Sequence, residues 1–200
     1  MSNYTTKGKI QNYLAVDIND SLDSQLTDWI SAVTNYIDNY TGKSFEETAD
    51  EVRYFDGNGK NEIQIDDFLS ISSVEILELD STDVDYTLTE GVNNDYITFP
   101  YNDTPKYRLL MTINSQIANF LKGEKRIKVT ATWGHSSTVP KDIELAATML
   151  VSSIIEKGMK GGTIMSESLG DYSVSYANLD NLSSSLGVKE ILSKYKIWEL

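Results

Sequence analysis

The spacing of hydrophobic positions along this chain changes character twice. From about Asp20 or Ser21 to Tyr40, the residues Leu22, Leu26, Trp29, Ile30, Val33, Ile37 and Tyr40 recur at three- and four-residue steps. That spacing predicts one amphipathic helix. Gly42 then stands where a left-handed residue would stop it. A shorter helix is predicted upstream, capped by Thr5 or Thr6 and carrying Ile10, Tyr13 and Leu14 on one side. From about Glu51 the period falls to two. Val52–Phe55 and Glu62–Ile65 flank the turn-like run Asp56–Asn61 and read as a hairpin. Val74, Ile76, Leu77 and Leu79 predict a third strand, Tyr86–Leu88 a fourth and Tyr96–Phe99 a fifth. Arg108–Ile113 is another, and Arg126–Trp133 places Ile127, Val129, Ala131 and Trp133 on one face. Short strands separated by turns suggest an antiparallel sheet folded into a small sandwich or open barrel.

The helical period returns at Pro140, a good first-turn residue. Ile143, Ala146, Ala147, Leu150, Val151, Ile154 and Ile155 form a broad stripe that ends at Gly158, and the alanine pair permits close approach of Trp29 or Tyr36. A short C-terminal helix is predicted from about Val188. The fold class expected is therefore α+β. A small, discontinuous helical bundle (1–50 and 137–200) carries an inserted antiparallel β module (51–136) and a projecting β-hairpin (164–176).

That hairpin rests on Met165–Tyr176. Gly170-Asp171 suits a tight primed turn, because glycine supplies the positive φ such a turn needs. Folded there, Leu169 faces Tyr172, Glu167 faces Val174, and Met165 faces Tyr176. Ser166, Ser168, Ser173 and Ser175 fall on the other face. A two-stranded ribbon is marginal alone in water, so an apolar face of this kind needs a surface to lie on. The stretch from Gly158 to Thr163, with Gly161-Gly162 as its hinge, and the polar Asn/Asp/Ser stretch after the hairpin both read as flexible spacers. Met165, Leu169, Tyr172, Val174 and Tyr176 are thus candidate contacts with another subunit. Tyr195, Ile197, Trp198 and Leu200 of the C-terminal segment join them, with Trp198 a candidate anchor.

Composition narrows the function. The chain has 17 basic and 30 acidic residues, a net charge of −13, which disfavours a grip on a nucleic-acid duplex by the chain as a whole. Lys122, Lys125, Arg126 and Lys128 cluster around a turn interrupted by Glu124 and read as a solvated hairpin end. The absence of cysteine removes disulfides, thiolate chemistry and cysteine-ligated zinc, and suits a reducing compartment. The polar N-terminus does not read as a signal peptide, and the apolar run Ile143–Ile155 is too short to span a bilayer. A soluble intracellular chain is expected.

Candidate chemistry is sparse. The single histidine, His135, follows a strand and reads as a surface loop residue. Asp56–Asn61 departs from a calcium loop at three positions. Asp80, Asp83 and Asp85 read as a solvated acidic loop, and Asp66-Asp67 as part of a turn. No catalytic, cofactor or metal residue is nominated, and no cofactor is expected. The twelve tyrosines read as half-buried sheet positions rather than a carbohydrate platform.

The order of motifs carries a resemblance. Tyr40-Thr-Gly42 closes a helix and is followed by Phe45. Tyr54-Phe-Asp-Gly-Asn-Gly59 comes next, then Ile127–Gly134. Val139-Pro140 leads into the alanine-bearing helix, and Ser166–Tyr176 follows. This order, over roughly residues 5 to 198, resembles the head–tail connector (adaptor) proteins of tailed bacteriophages. The resemblance implies a non-enzymatic virion protein of the head–tail junction, made in the host cytoplasm. It would form a homo-oligomeric ring, dodecameric by portal symmetry, that docks on the portal and extends the DNA channel towards the tail. The implied partners are the portal protein and a head-closure or tail protein. Genomic DNA would pass through without specific binding, and no membrane is involved. Two other readings stay open: a head-closure or tail-completion protein, and a module whose β insertion recognises a glycan or host protein.

Overall fold

The computed structural model describes residues 3–157, 159–160, 163–164 and 176–196. The fold is mixed α+β, and the chain divides into two compact units, Met1–Lys43 with Val139–Leu200, and Ser44–Thr138.

The first unit is helical. Helix α1 (Lys7–Leu14) is capped by Thr6, whose hydroxyl accepts from the Lys9 N–H. A 3-10 turn (Asp20–Leu22) runs into α2 (Asp23–Thr41), which Gly42 ends in the left-handed conformation, φ 69°, its N–H donating to the Asp38 carbonyl. Helix α3 (Lys141–Lys157) begins after Pro140, whose carbonyl accepts from the Glu144 N–H. Two short helices follow, α4 (Tyr176–Ser185) and α5 (Val188–Ser193). Helix α3 is central, packing on α1, α2 and α5. Its full predicted stripe, Ile143 to Ile155, is buried, as are Leu26, Trp29, Val33, Tyr36 and Ile37 of α2. Burying each large apolar side chain contributes roughly 1.5–3 kcal/mol, so this seam dominates the unit's stability. After α3, Met159–Lys160 (β7) pairs antiparallel with Thr163–Ile164 (β8). These residues therefore belong to a ladder, where the sequence suggested a spacer. Gly161-Gly162, between the two strands in sequence, lies outside the described residues.

The second unit is a six-stranded, wholly antiparallel sheet: β1 (Thr48–Gly57), β2 (Glu62–Leu77), β3 (Val84–Leu88), β4 (Tyr96–Phe99), β5 (Lys106–Met111) and β6 (Gly123–Trp133). The order is β1-β6-β2-β5-β4, with β3 also on β2. Strand β2 organises it. Its first half pairs with β5 and its second half with β6, and Phe68 stands where Lys106 and Trp133 flank it. Two strands expected separately are thus one 16-residue strand, and Asp66-Asp67 lies inside it rather than in a turn. The ladder is irregular between Gln64 and Phe68, which lets one strand serve two sets of partners.

The expected β1–β2 hairpin is replaced by a strand order in which β6 lies between them. Burial explains this. In β6, Ile127, Val129, Ala131 and Trp133 are all buried, whereas β1 is exposed along most of its length and lies at the edge. The most apolar strand takes the inner position. The turn after β1 instead clasps the approach to β6: the Gly59 N–H donates to the Phe120 carbonyl and the Phe120 N–H to that of Lys60. Gly57 makes this crossing possible, since a Cβ there would lie 1.6 Å from the Leu121 carbonyl oxygen. The core closes around Trp133, whose ring lies 5.7 Å from Phe55 and 6.3 Å from Phe68. Its indole N–H donates to the Glu51 carbonyl at 2.8 Å, and the Arg53 guanidinium stacks over it at 4.7 Å.

Candidate interaction surfaces

In the helical unit, polar side chains pin each peripheral segment to the two long helices. The Tyr4 hydroxyl meets the Asp38 carboxylate, and the Thr5 and Thr148 hydroxyls meet at 2.7 Å. Lys9 pairs with Glu144 at 2.5 Å; that hydrogen bond, working against partial burial, holds the Glu144 carboxyl below the usual range. The Tyr36 hydroxyl lies 2.6 Å from Ser183 and 3.2 Å from Asp180, which fixes α4 on α2. Lys189 in turn pairs with Asp180 at 2.7 Å. Tyr195, just past α5, donates to both oxygens of Asp142, at 2.8 and 3.0 Å. Partial burial, with that carboxylate, pushes the phenol up to about 12. A shallow cleft of about 450 Å³ beside Thr5, Leu26 and Ile30 is bordered by Lys7, itself held 2.6 Å from both Asp20 and Asp23. The cleft offers a liganding group no cation that its own unit has not already paired.

In the sheet unit the exit of β6 is clamped. His135 Nδ1 lies 2.8 Å from Asp67 Oδ2, and its ring meets Phe45 edge-on at 5.3 Å. The Gly134 N–H donates to the Asp67 carbonyl, and the His135 N–H to that of Ser44. His135 is therefore a largely buried structural partner, not the surface residue expected. The long-range return of β6 to β2 supplies a carboxylate distant in sequence. At another corner Asp95, 5% exposed, accepts from the N–H groups of Thr89 and Gln116, both at 2.8 Å. Burial alone would raise this carboxyl, but those amides outweigh it and hold it below the ordinary value. The network braces two turns that carry the exposed Val92 and the fully exposed Ile113.

Among the predicted contact residues, the structure positions Tyr195 on Asp142 and makes Tyr176 the first residue of α4 rather than a ribbon strand. Met165, Leu169, Gly170, Asp171, Tyr172, Val174, Ile197, Trp198 and Leu200 lie outside the described residues. Sequence reasoning passed over Asp95, placed Asp67 in a turn, and took Arg126 for a solvated end although the residue is 8% exposed. Their partners are 6 to 68 positions away, so no local spacing marks them. Among the described residues no cluster of histidine, aspartate or glutamate is placed to hold a metal ion, and no helix is long and apolar enough to cross a membrane.

A family model described as head completion protein matches residues 4–198. The chain belongs to the head completion protein family. The resemblance to phage head–tail connector proteins read from the sequence agrees with this membership. Two solved structures share the fold. One chain, from "Neck of empty GTA particle computed with C6 symmetry", superposes with a TM-score of 0.57 at 10% identity, covering 96% of this chain and 89% of that one. Another, from "Neck of native GTA particle computed with C12 symmetry", gives 0.51 at 11% identity, covering 100% and 96%. No curated protein sequence matches the chain.

Proposed function

We propose that this head completion family member is the ring-forming adaptor of its particle. It docks on the portal at the head–tail junction, extends the DNA channel towards the tail, and performs no catalysis. The observation that carries the reading is the family match over residues 4–198. Likeness to neck chains determined with C6 and C12 symmetry supports a ring, most simply one of twelve copies matching the portal. The acidic balance supports a channel wall that lets DNA slide, since each phosphate held by Lys or Arg would add counterion-release affinity. In this reading the segment Met165–Tyr176 makes contacts between subunits or with the portal. Tyr195 anchors the C-terminal segment, leaving Ile197, Trp198 and Leu200 for a partner. A head-closure or tail-completion role is the second reading, favoured by the family description itself.

Cross-linking of assembled particles, read by mass spectrometry, separates the two. An adaptor gives links between copies of the chain and links to the portal. Links to tail components with none to the portal would move the assignment to head closure.

A further inference from the structure

Cations in the sheet unit fall into two groups. Arg53 pairs with Asp66 at 2.8 Å, Lys106 donates to the Pro100 carbonyl at 2.7 Å, Arg108 pairs with Glu62 at 3.1 Å and Lys128 with Glu75 at 2.7 Å. The remainder, Lys60, Lys122, Lys125 and Arg126, converge on one corner and are not matched in this way. The three lysines are exposed and make no ion pair among the described residues. Arg126 is nine-tenths buried. Its nearest carboxylate, Asp85, stands 3.7 Å away, beyond hydrogen-bond length, and its Nε has no hydrogen-bond partner. The corner is rigid: the Lys60 turn is bonded to Phe120, and the Lys125 N–H donates to Asp56 Oδ1 at 2.8 Å. Leu79 and Arg126 flank Gly123 so closely that a Cβ there would lie 3.1 and 2.9 Å from them. Leu79 is 60% exposed, and Val84, next to Asp85, is 44% exposed.

A buried guanidinium whose Nε lacks a hydrogen-bond partner and whose carboxylate stands off at 3.7 Å is incompletely compensated, and a further acceptor would relieve that cost. A desolvated arginine beside an exposed apolar side chain, here Leu79, also suits a binding hot spot. We propose that this corner is an assembly contact whose occupant is an acidic surface of a second copy of this chain, a carboxylate of which pairs with Arg126. The inference rests on the ring reading above and names one of its contacts. Charge complementarity argues for the second copy. With 30 acidic residues against 17 basic, its surface supplies carboxylates, and this corner holds three lysines without an ion pair beside an arginine that Asp85 meets only at 3.7 Å. A DNA duplex fits less well, because Asp56, Asp85 and Glu124 interleave with the cations and would oppose a row of phosphates. A single carboxylate placed among the lysines, beside an apolar contact, meets less of that opposition than a row of phosphates.

The test is sedimentation equilibrium of the full chain at about 0.15 M salt, where general repulsion is screened beyond ~8 Å. K122E/K125E is compared with K141E/K194E, which makes the same charge change on the helical unit. The wild-type chain should self-associate weakly at concentrations up to about 1 mM. The corner variant should lose at least about tenfold in association constant, and the control far less. R126Q should behave as the corner variant; if it also lowers stability in urea, the lysine pair decides. Equal losses in corner and control variants, or no loss in either, would overturn the assignment. So would a wild-type chain that stays monomeric throughout, while the ring itself is judged separately by cross-links in particles. A short DNA duplex titrated at low salt supplies the last arm. Binding abolished by K122E/K125E, with self-association kept, would make nucleic acid the occupant.

Discussion

Asp95 is the residue whose replacement most directly probes the sheet unit. Its carboxylate, 5% exposed, receives the N–H groups of Thr89 and Gln116 at 2.8 Å and the more distant Ser115 hydroxyl at 3.4 Å. Hydrogen bonds to a charged group contribute about 1.5–3 kcal/mol each, and an orphaned buried donor costs a similar amount. Asp95→Ala removes two good acceptor contacts and should destabilise by about 3–5 kcal/mol. Asp95→Asn keeps the shape but loses the charge, and should cost about 2 kcal/mol. With a urea slope of about 2 kcal/mol/M, the alanine variant's midpoint falls by about 1.5–2.5 M. The pH dependence has a definite sign. The folded-state value lies below the unfolded one, near 3.9, so the contribution of ionised Asp95 is complete above that pH. It is lost as pH falls through the folded-state value. The gap between wild type and Asp95→Asn should be constant near neutrality and shrink below about pH 4. A gap that widens on acidification, or an alanine variant within about 0.5 kcal/mol of wild type, would refute the argument.

Three further outcomes are expected. Gly57→Ala forces a methyl against the Leu121 carbonyl, 1.6 Å from the ideal Cβ, and should cost about 3 kcal/mol or more, whereas Gly8→Ala in α1, with open space around it, should be neutral or slightly stabilising by melting temperature. Tyr195→Phe removes the bond to Asp142 and should cost about 1 kcal/mol. In the native protein that phenol should ionise near 12 by ultraviolet absorbance, so its contribution is complete below about pH 10 and lost as pH rises towards 12. In the proposed role, where the apolar area of Tyr172 and Val174 serves a partner, changing both to serine should leave the melting temperature nearly intact while blocking incorporation into particles; a collapse in melting temperature would return the segment to its own subunit's core.

Helices α1, α2, α3 and α5 were legible because their signals are local, whereas α4, whose Leu179 and Leu182 are buried, fell in a stretch that read as a polar spacer. Thr6 caps α1, Gly42 ends α2 with positive φ, and the stripe from Ile143 to Ile155 is buried residue for residue. Most strands were also legible, β6 with its four inward residues being the plainest case, although β2 read as two strands. Their pairing was not. An Asp-Gly-Asn-Gly turn between alternating segments satisfies the local rules of a hairpin, yet the more apolar β6 displaces β2 as the neighbour of β1. The same nonlocality hid His135 from Asp67 and Arg126 from its burial. A residue's charge can be read in sequence, but whether its partner arrives is decided by the sheet. The family was legible in the order of turn and strand motifs, where each turn demands particular residue types, and the family model over residues 4–198 shows it.

The most direct test of the account is native mass spectrometry of the purified chain, alone and mixed with the portal of the same particle. Alone, a chain of net charge −13 should be monomeric or weakly and salt-dependently associated, because identical acidic subunits repel. With the portal it should add as a ring whose copy number equals the portal's. A fixed, salt-insensitive dimer that leaves the portal's mass unchanged would contradict it.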